Sequence, residues 1–304
     1  SMVVSVDSGL RISEISEFLS RYGLELAVKP FLSNSRTIGG CIAENTEGYG
    51  SFDKGPIGDT LSYAEICLST GEILKISENI IEKNLLNMIP KSFGSLGIIT
   101  RLKIKVRRQS ELKHSVAFFF KNRESPIRVL HSCLVNEMKP STVEILDSRL
   151  IDMLRNTPHE PSINQKHKNI LLLQFSGSRR SVAKSIKMVK KIAEDIERGY
   201  ITRENAEDLF RVRESILAIL KHNISSSVVL ELRSPSDKAT ELTYFLSSVE
   251  SYFNRHIPFF GNVYNSLKIV FYAVEGEEDI SLSLRKLTEK LRNFGFMPIE
   301  IISL

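Results

Sequence analysis

At 304 residues, 42% hydrophobic and 25% charged, the chain is long enough for about two globular domains and is excluded from the disordered and fibrous classes. No apolar run approaches the roughly 18 residues of a membrane-crossing helix, and three cysteines without metal-type spacing predict no disulfide framework and a reduced, cytoplasmic setting. A net charge of +5 favours anionic partners in general and specifies none of them.

Ser1-Met2 resembles a cloning scar and is set aside from fold reasoning. Val4 and Val6 alternate about Ser5, predicting a strand that Gly9 breaks. Ile12, Ile15, Phe18, Leu19 and Tyr22 then recur at helical spacing, closed by Gly23. Between Thr37 and Gly58 stand six of the 16 glycines, a density that predicts a backbone-rich surface. A hairpin follows, Leu61 to Leu68 and Glu72 to Ile76, turning at Thr70-Gly71.

A second glycine pair, Gly94 and Gly97, precedes a strand in which Leu102, Ile104 and Val106 alternate with Lys103, Lys105 and Arg107. Together with Arg101 and Arg108 these cations form either an anion-binding stripe or a solvated face whose charge guards against edge pairing.

Beyond residue 110 glycine becomes scarce. Short apolar strands are predicted at Val116–Phe120, Thr142–Leu146, Ile170–Phe175, Ser227–Leu232, Leu267–Ala273 and Pro298–Ile302. Amphipathic helices alternate with them. One carries Val182, Ile186, Val189, Ala193 and Ile196 and stops at Gly199. Another starts at a Ser234 cap and buries Leu242, Phe245, Val249 and Tyr252. A third holds Ile280, Leu284, Leu287, Leu291 and Phe294, ending at Gly295. The pattern predicts a sheet with helices packed against it.

Glycine loops matter because a backbone without Cβ atoms approaches a pyrophosphate closely and aims N–H groups at it. Thr37-Ile38-Gly39-Gly40 with Asn45 and Gly48 suits that role, as does the stretch from Ser92 to Thr100. Neither matches a dinucleotide-binding or nucleotide-triphosphate glycine motif. The six histidines, His114, His131, His159, His167, His222 and His256, form no i, i+4 pair and read as surface or locally satisfied residues. No aromatic-basic motif supports nucleic-acid binding.

These two segments, in order and with a hairpin between them, resemble the FAD-linked oxidase family of the vanillyl-alcohol-oxidase fold over residues 3 to 108. The similarity is to its glycolate and D-lactate dehydrogenase branch. The resemblance implies an α+β architecture: residues 1–110 as the second subdomain of a PCMH-type FAD-binding domain, and residues 111–304 as a ferredoxin-like cap or substrate domain with an antiparallel sheet and packed helices. It places Thr37, Ile38, Gly39, Gly40, Asn45, Gly48, Gly94, Ser95, Gly97, Ile98 and Ile99 along FAD. In the second domain, Glu144-Ile145-Leu146-Asp147 and Leu209-Phe210-Arg211-Val212-Arg213 resemble family segments, which implies a substrate carboxylate near Arg213. The competing reading of Arg213 is a solvated helix arginine paired with Glu214 or another neighbour.

The family pattern is also broken. Where the dehydrogenases carry a histidine-rich run, this chain reads Phe260-Gly261-Asn262-Val263-Tyr264-Asn265-Ser266-Leu267-Lys268, with Asn262 at the first histidine and Lys268 or Ile269 at the last. An amide is neither a general base near neutral pH nor a good divalent ligand, so no metal is expected. Glu44 and Glu47 stand where a pyrophosphate would be repelled unless they point away, and Lys54 is placed to offset them. By the resemblance, the first flavin subdomain and the later acidic metal-ligand segment lie outside this sequence. The expectation is an FAD-dependent subunit or fragment completed by another chain or by redox-complex subunits, or else a non-catalytic scaffold of that fold.

Overall fold

The computed structural model describes residues 2–79, 81–154, 166–204, 206–223, 227–233, 259–262, 266–272, 289 and 297–303. It divides into two compact units, Ser1–Glu111 and Leu112–Leu304. Both are α+β, with antiparallel sheets and helices packed on them.

Unit 1 runs β1 (Met2–Asp7), α1 (Ile12–Ser20), β2 (Leu24–Leu26), β3 (Lys29–Pro30), α2 (Ile38–Glu44), β4 (Gly48–Tyr49) and α3 (Ser51–Lys54). After a 3-10 turn at Ile57–Thr60 come β5 (Leu61–Cys67), β6 (Ile73–Ser77), α4 (Lys83–Met88) and β7 (Ile98–Arg108). The main sheet has the order β1-β7-β5-β6, and β2 pairs with the end of β7 on the β5 side, past Leu61. Strand alternation makes one face apolar: Leu102 and Ile104 of β7 sit opposite Val6 and Val4 of β1. Ile12, Ile15 and Leu19 of α1 and Ile38, Cys41 and Ile42 of α2 complete the core over that face.

Two sequence expectations change here. The buried stripe of α1 is limited to Ile12, Ile15 and Leu19; Phe18 turns off that face and Tyr22 lies past the helix end at Ser20, and both are exposed, their rings 5.2 Å apart. And β7 is a central strand, with β1 on one side and β5, then β2, along the other, so its cations guard no edge. They line the open face, where acids from neighbouring elements meet them. Arg101 pairs with Asp7, Lys105 with Glu78 and Arg107 with Glu25, while Lys103 lies 5.1 Å from the Tyr63 ring centroid.

Unit 2 continues β8 (Leu112–Phe120), α5 (Ser125–Val135), β9 (Thr142–Leu146), α6 (Ser148–Met153), β10 (Asn169–Gly177), α7 (Arg179–Ile196), β11 (Ile201–Glu204) and α8 (Glu207–Asn223). Then come β12 (Ser227–Arg233), β13 (Phe259–Asn262), β14 (Ser266–Tyr272) and β15 (Met297–Ser303). They form one sheet in the order β11-β8-β10-β9-β13-β14-β12-β15. β9, and most of β8 and β10, are buried on successive residues, so both faces are covered there. That is why these strands read as continuous apolar runs rather than alternations. The helix predicted around Val182 is α7; the helix predicted from Ser234, and that across Ile280–Gly295 apart from Glu289, lie outside the described residues.

Candidate functional site

The two glycine segments meet in space. Asn45 ends α2 in the left-handed conformation, φ 55°, and its Oδ1 accepts the Gly58 N–H at 2.9 Å. A Cβ on Gly58 would lie 2.6 Å from the Pro90 side chain, so this glycine lets the turn close onto the start of the second loop. Phe93, itself at φ 50°, donates its N–H to the Ala43 carbonyl of α2 at 3.1 Å. Gly58, Pro90 and Phe93 thus join the site: Gly58 and Phe93 fall in the two glycine segments without having been named as site residues, and Pro90 went unread. The glycine segments containing Gly58 and Phe93 were their local signal; nothing local marks Pro90.

The N–H groups at the start of α2 are not available to a ligand. Thr37 caps it through Oγ1, which accepts the Gly40 N–H. Ile38 and Gly39 donate to the carbonyls of Leu10 and Ser8, and Cys41 donates to the Thr37 carbonyl. All four leading N–H groups of the helix are therefore consumed within the protein. A Cβ on Gly39 would meet Ser8 Cβ at 2.7 Å, and one on Gly48 would meet the Lys29 carbonyl at 2.1 Å. These buried glycines, with buried Ile38, permit chain-to-chain packing; Thr37 and Gly40 stay exposed. Glu44 is engaged by Arg36, and Lys54 pairs with Asp53 at 2.9 Å.

The second loop has the opposite character. Phe93, Gly94, Ser95 and Leu96 are all exposed. Ser95 folds back on Ser92 by both its N–H and its hydroxyl, and Gly97 donates to Gly94. Among the described residues the N–H groups of Gly94 and Leu96 have no protein partner. Gly94 has φ +79° with open space where a Cβ would be, whereas a Cβ on Gly97 (φ +142°) would lie 2.5 Å from the Cys67 carbonyl. The loop then feeds β7, where Ile98, Cys67 and Ile73 lie in register across three strands. Ile98 is 72% exposed and Ile73 is 55% exposed. Further exposed apolar side chains, Ile81, Leu85, Met88, Phe93 and Leu96, fall in the neighbouring segment. Such a loop can receive an anionic or carbonyl oxygen on its open N–H groups and an apolar ring system beside it.

In unit 2, Arg213 is buried on α8. Its Nε donates to Glu144 Oε2 of β9 at 2.8 Å, and its guanidinium lies 5.2 Å from the Phe260 ring centroid. It is buried, not solvated, and is paired with Glu144 of the neighbouring strand, so a substrate carboxylate would have to displace Glu144. Burial raises the Cys41 thiol, partly offset by Thr46 and Arg36, and pushes Cys133 up to about 12, so neither is a ready thiolate. His167 Nε2 lies 3.1 Å from the Gly199 carbonyl, and His114 stands 3.7 Å from Glu204. Among the described residues no three His, Cys, Asp or Glu side chains converge to hold a metal ion, and no helix is long and apolar enough to cross a membrane.

Comparison with known proteins matches residues 1–77 to a family described as an FAD binding domain and residues 109–243 to the C-terminal domain of FAD linked oxidases. The glycolate oxidase subunit GlcD of Bacillus subtilis (strain 168) is 20% identical over 270 residues, covering 86% of this chain and 57% of that protein. A D-lactate dehydrogenase of Anaerostipes hadrus is 26% identical over 155 residues, 50% of this chain and 32% of that one. The solved structure of an alkyldihydroxyacetonephosphate synthase superposes with a TM-score of 0.72 at 18% identity, over 98% of this chain and 59% of that chain. The chain spans about half the length of the curated relatives it matches.

Proposed function

The chain belongs to the FAD-linked oxidase family, and on that footing we propose that it serves in the FAD-dependent oxidation of a small 2-hydroxy acid such as glycolate or D-lactate. Unit 1 forms part of the flavin site, unit 2 acts as the cap over the substrate, and further polypeptide completes the cofactor pocket. The observation that carries this reading is the 93–98 loop, with its open glycine and unpartnered N–H groups beside the Ile98–Cys67–Ile73 row.

The residues present fit the cofactor at that loop and not at the start of α2, whose N–H groups are spent. Gly94, Ser95 and Leu96 would hold a polar edge and exposed Ile98 the apolar ring, while Ile99, on the opposite face of β7, packs against the core and would reach the cofactor only through its backbone. Thr37, Gly40 and Asn45, the N-cap, first turn and C-cap of α2, are exposed or half-exposed, but their capping groups are engaged within the protein. They would border the cofactor and not bind it through helix N–H groups. Bound FAD supplies a hydride acceptor, while orientation and electrostatics fall to the protein. Exposed apolar surface along residues 81–98 would bury against the completing polypeptide and exclude water from the ring.

A second reading, a non-catalytic scaffold in a redox complex, is favoured by Arg213 being held by Glu144 and by Asn262 standing where the related dehydrogenases carry histidine. One titration separates the two. Purified protein is mixed with FAD, alone and with a co-expressed polypeptide matching the remaining length of the relatives, then desalted and read by visible absorption. Retained flavin that bleaches on adding D-lactate or glycolate is the expected result. Retained flavin that neither acid bleaches supports the scaffold, and no retention in either mixture overturns the flavin reading.

A further inference from the structure

Helix α7 carries six cations between Arg179 and Lys191 and no acid before Glu194. Since the chain's net charge is +5, the rest of the molecule is close to neutral. The hydrophobic side of the helix, Val182, Val189 and Ala193, is buried. Arg180, Lys184, Lys187 and Lys191 are exposed at spacings of four, three and four. At 1.5 Å per residue and 100° per step they form a straight stripe about 16 Å long, within about 60° of arc.

The stripe works against its own helix. Like charges three and four residues apart repel, and cations in the first turn oppose the helix dipole, with no acid there to offset them. Other cations of this chain are neutralised by carboxylates: Lys190 by Glu204, Lys168 by Asp152 and Arg203 by Asp208. Among the described residues no ion pair or hydrogen bond engages the side chains of Arg180, Lys184, Lys187 or Lys191.

We infer that this face of α7 is an electrostatic docking surface for an anionic lipid bilayer. Three of its four cations are lysines, point charges without the bidentate fork that suits packed carboxylate recognition, and lysine is depleted from protein–protein interfaces. The exposed positions offer no aromatic side chain on which a nucleic-acid base would stack. The apolar side is committed to the fold, so the helix lies on headgroups without inserting. Clusters of this kind on an amphipathic helix match the diffuse negative charge of a leaflet, and the attraction is screened by salt.

The test is co-sedimentation of the full chain with vesicles of phosphatidylserine and phosphatidylcholine in equal parts, against phosphatidylcholine alone. Binding to the anionic vesicles only, reversed by salt, is expected. The variant Arg180→Gln/Lys184→Gln/Lys187→Gln/Lys191→Gln should lose roughly 600-fold in partitioning, at about fivefold per cation. If its circular dichroism shows misfolding, Lys184→Gln/Lys187→Gln should still lose about 25-fold, while Lys184→Arg/Lys187→Arg retains binding. Unaltered binding of the glutamine variants, or failure of the parent chain to sediment with anionic vesicles, overturns the proposal. So does equal or tighter binding to duplex DNA at the same salt, which would assign the stripe to nucleic acid.

Discussion

Arg213 and Glu144 form an ion pair at 2.8 Å with side chains only 7% and 4% exposed, joining α8 to the middle of the unit 2 sheet. Removing one partner strands the other charge in the interior. Arg213→Ala and Glu144→Gln should each destabilise the protein by about 3–5 kcal/mol in urea unfolding. Arg213→Met/Glu144→Leu should lose much less than the sum of the two. Additive losses would mean that the pair is not the dominant contact of either residue.

The two glycines of the second loop should respond differently. Gly94→Ala meets open space and carries only the left-handed backbone cost of about 1–2 kcal/mol. Gly97→Ala adds a Cβ 2.5 Å from the Cys67 carbonyl, so β7 must move away from β5. Thermal unfolding should show the larger drop for Gly97→Ala. Flavin affinity in the titration described above should fall for both.

Asn45 performs two tasks, ending α2 in left-handed geometry and receiving the Gly58 N–H. Asn45→Gly keeps the first and loses the second, at about 1 kcal/mol; Asn45→Ala loses both, at about 2–3 kcal/mol. Equal losses for the two variants in urea titrations would show that the hydrogen bond carries the whole effect.

Glu197 supplies an acid-sensitive latch in unit 2. Burial works to raise its carboxyl, but hydrogen bonds from Ser125 and from the Lys121 and Asn122 backbone outweigh it, leaving the group below its usual 4.5. A depressed carboxylate contributes stability that is present above its unfolded pKa and is lost as pH falls through the folded value. Glu197→Gln should therefore be less stable than the parent at neutral pH by about 1–3 kcal/mol, and the difference should shrink below about pH 4. Urea midpoints measured across pH 3 to 7 check it.

Much of the fold was legible because its strands and helices announce themselves by period. The six strands expected beyond residue 110 all have counterparts in β8, β9, β10, β12, β14 and β15. Ile201–Glu204 and Phe259–Asn262 went unread because four residues are too few to show a period. The glycine segments were legible as glycines, yet their division of labour was not. Gly39 and Gly48 are pressed against Ser8 and Lys29, a contact no local pattern announces, while Gly94 stands open.

Alternation within β7 is written in the chain, since Leu102, Ile104 and Val106 must share a face whatever surrounds them. That the strand is central, and that its cations answer to Asp7, Glu25 and Glu78, followed only from which strands came to lie beside it. Arg213 makes the same point: a helical period places it on α8, but only the approach of β9 and β13 surrounds it with Glu144 and Phe260. Local period depends on covalent geometry and is carried by each segment alone. Partnership depends on loop closure across tens of residues, and only the packed core selects it.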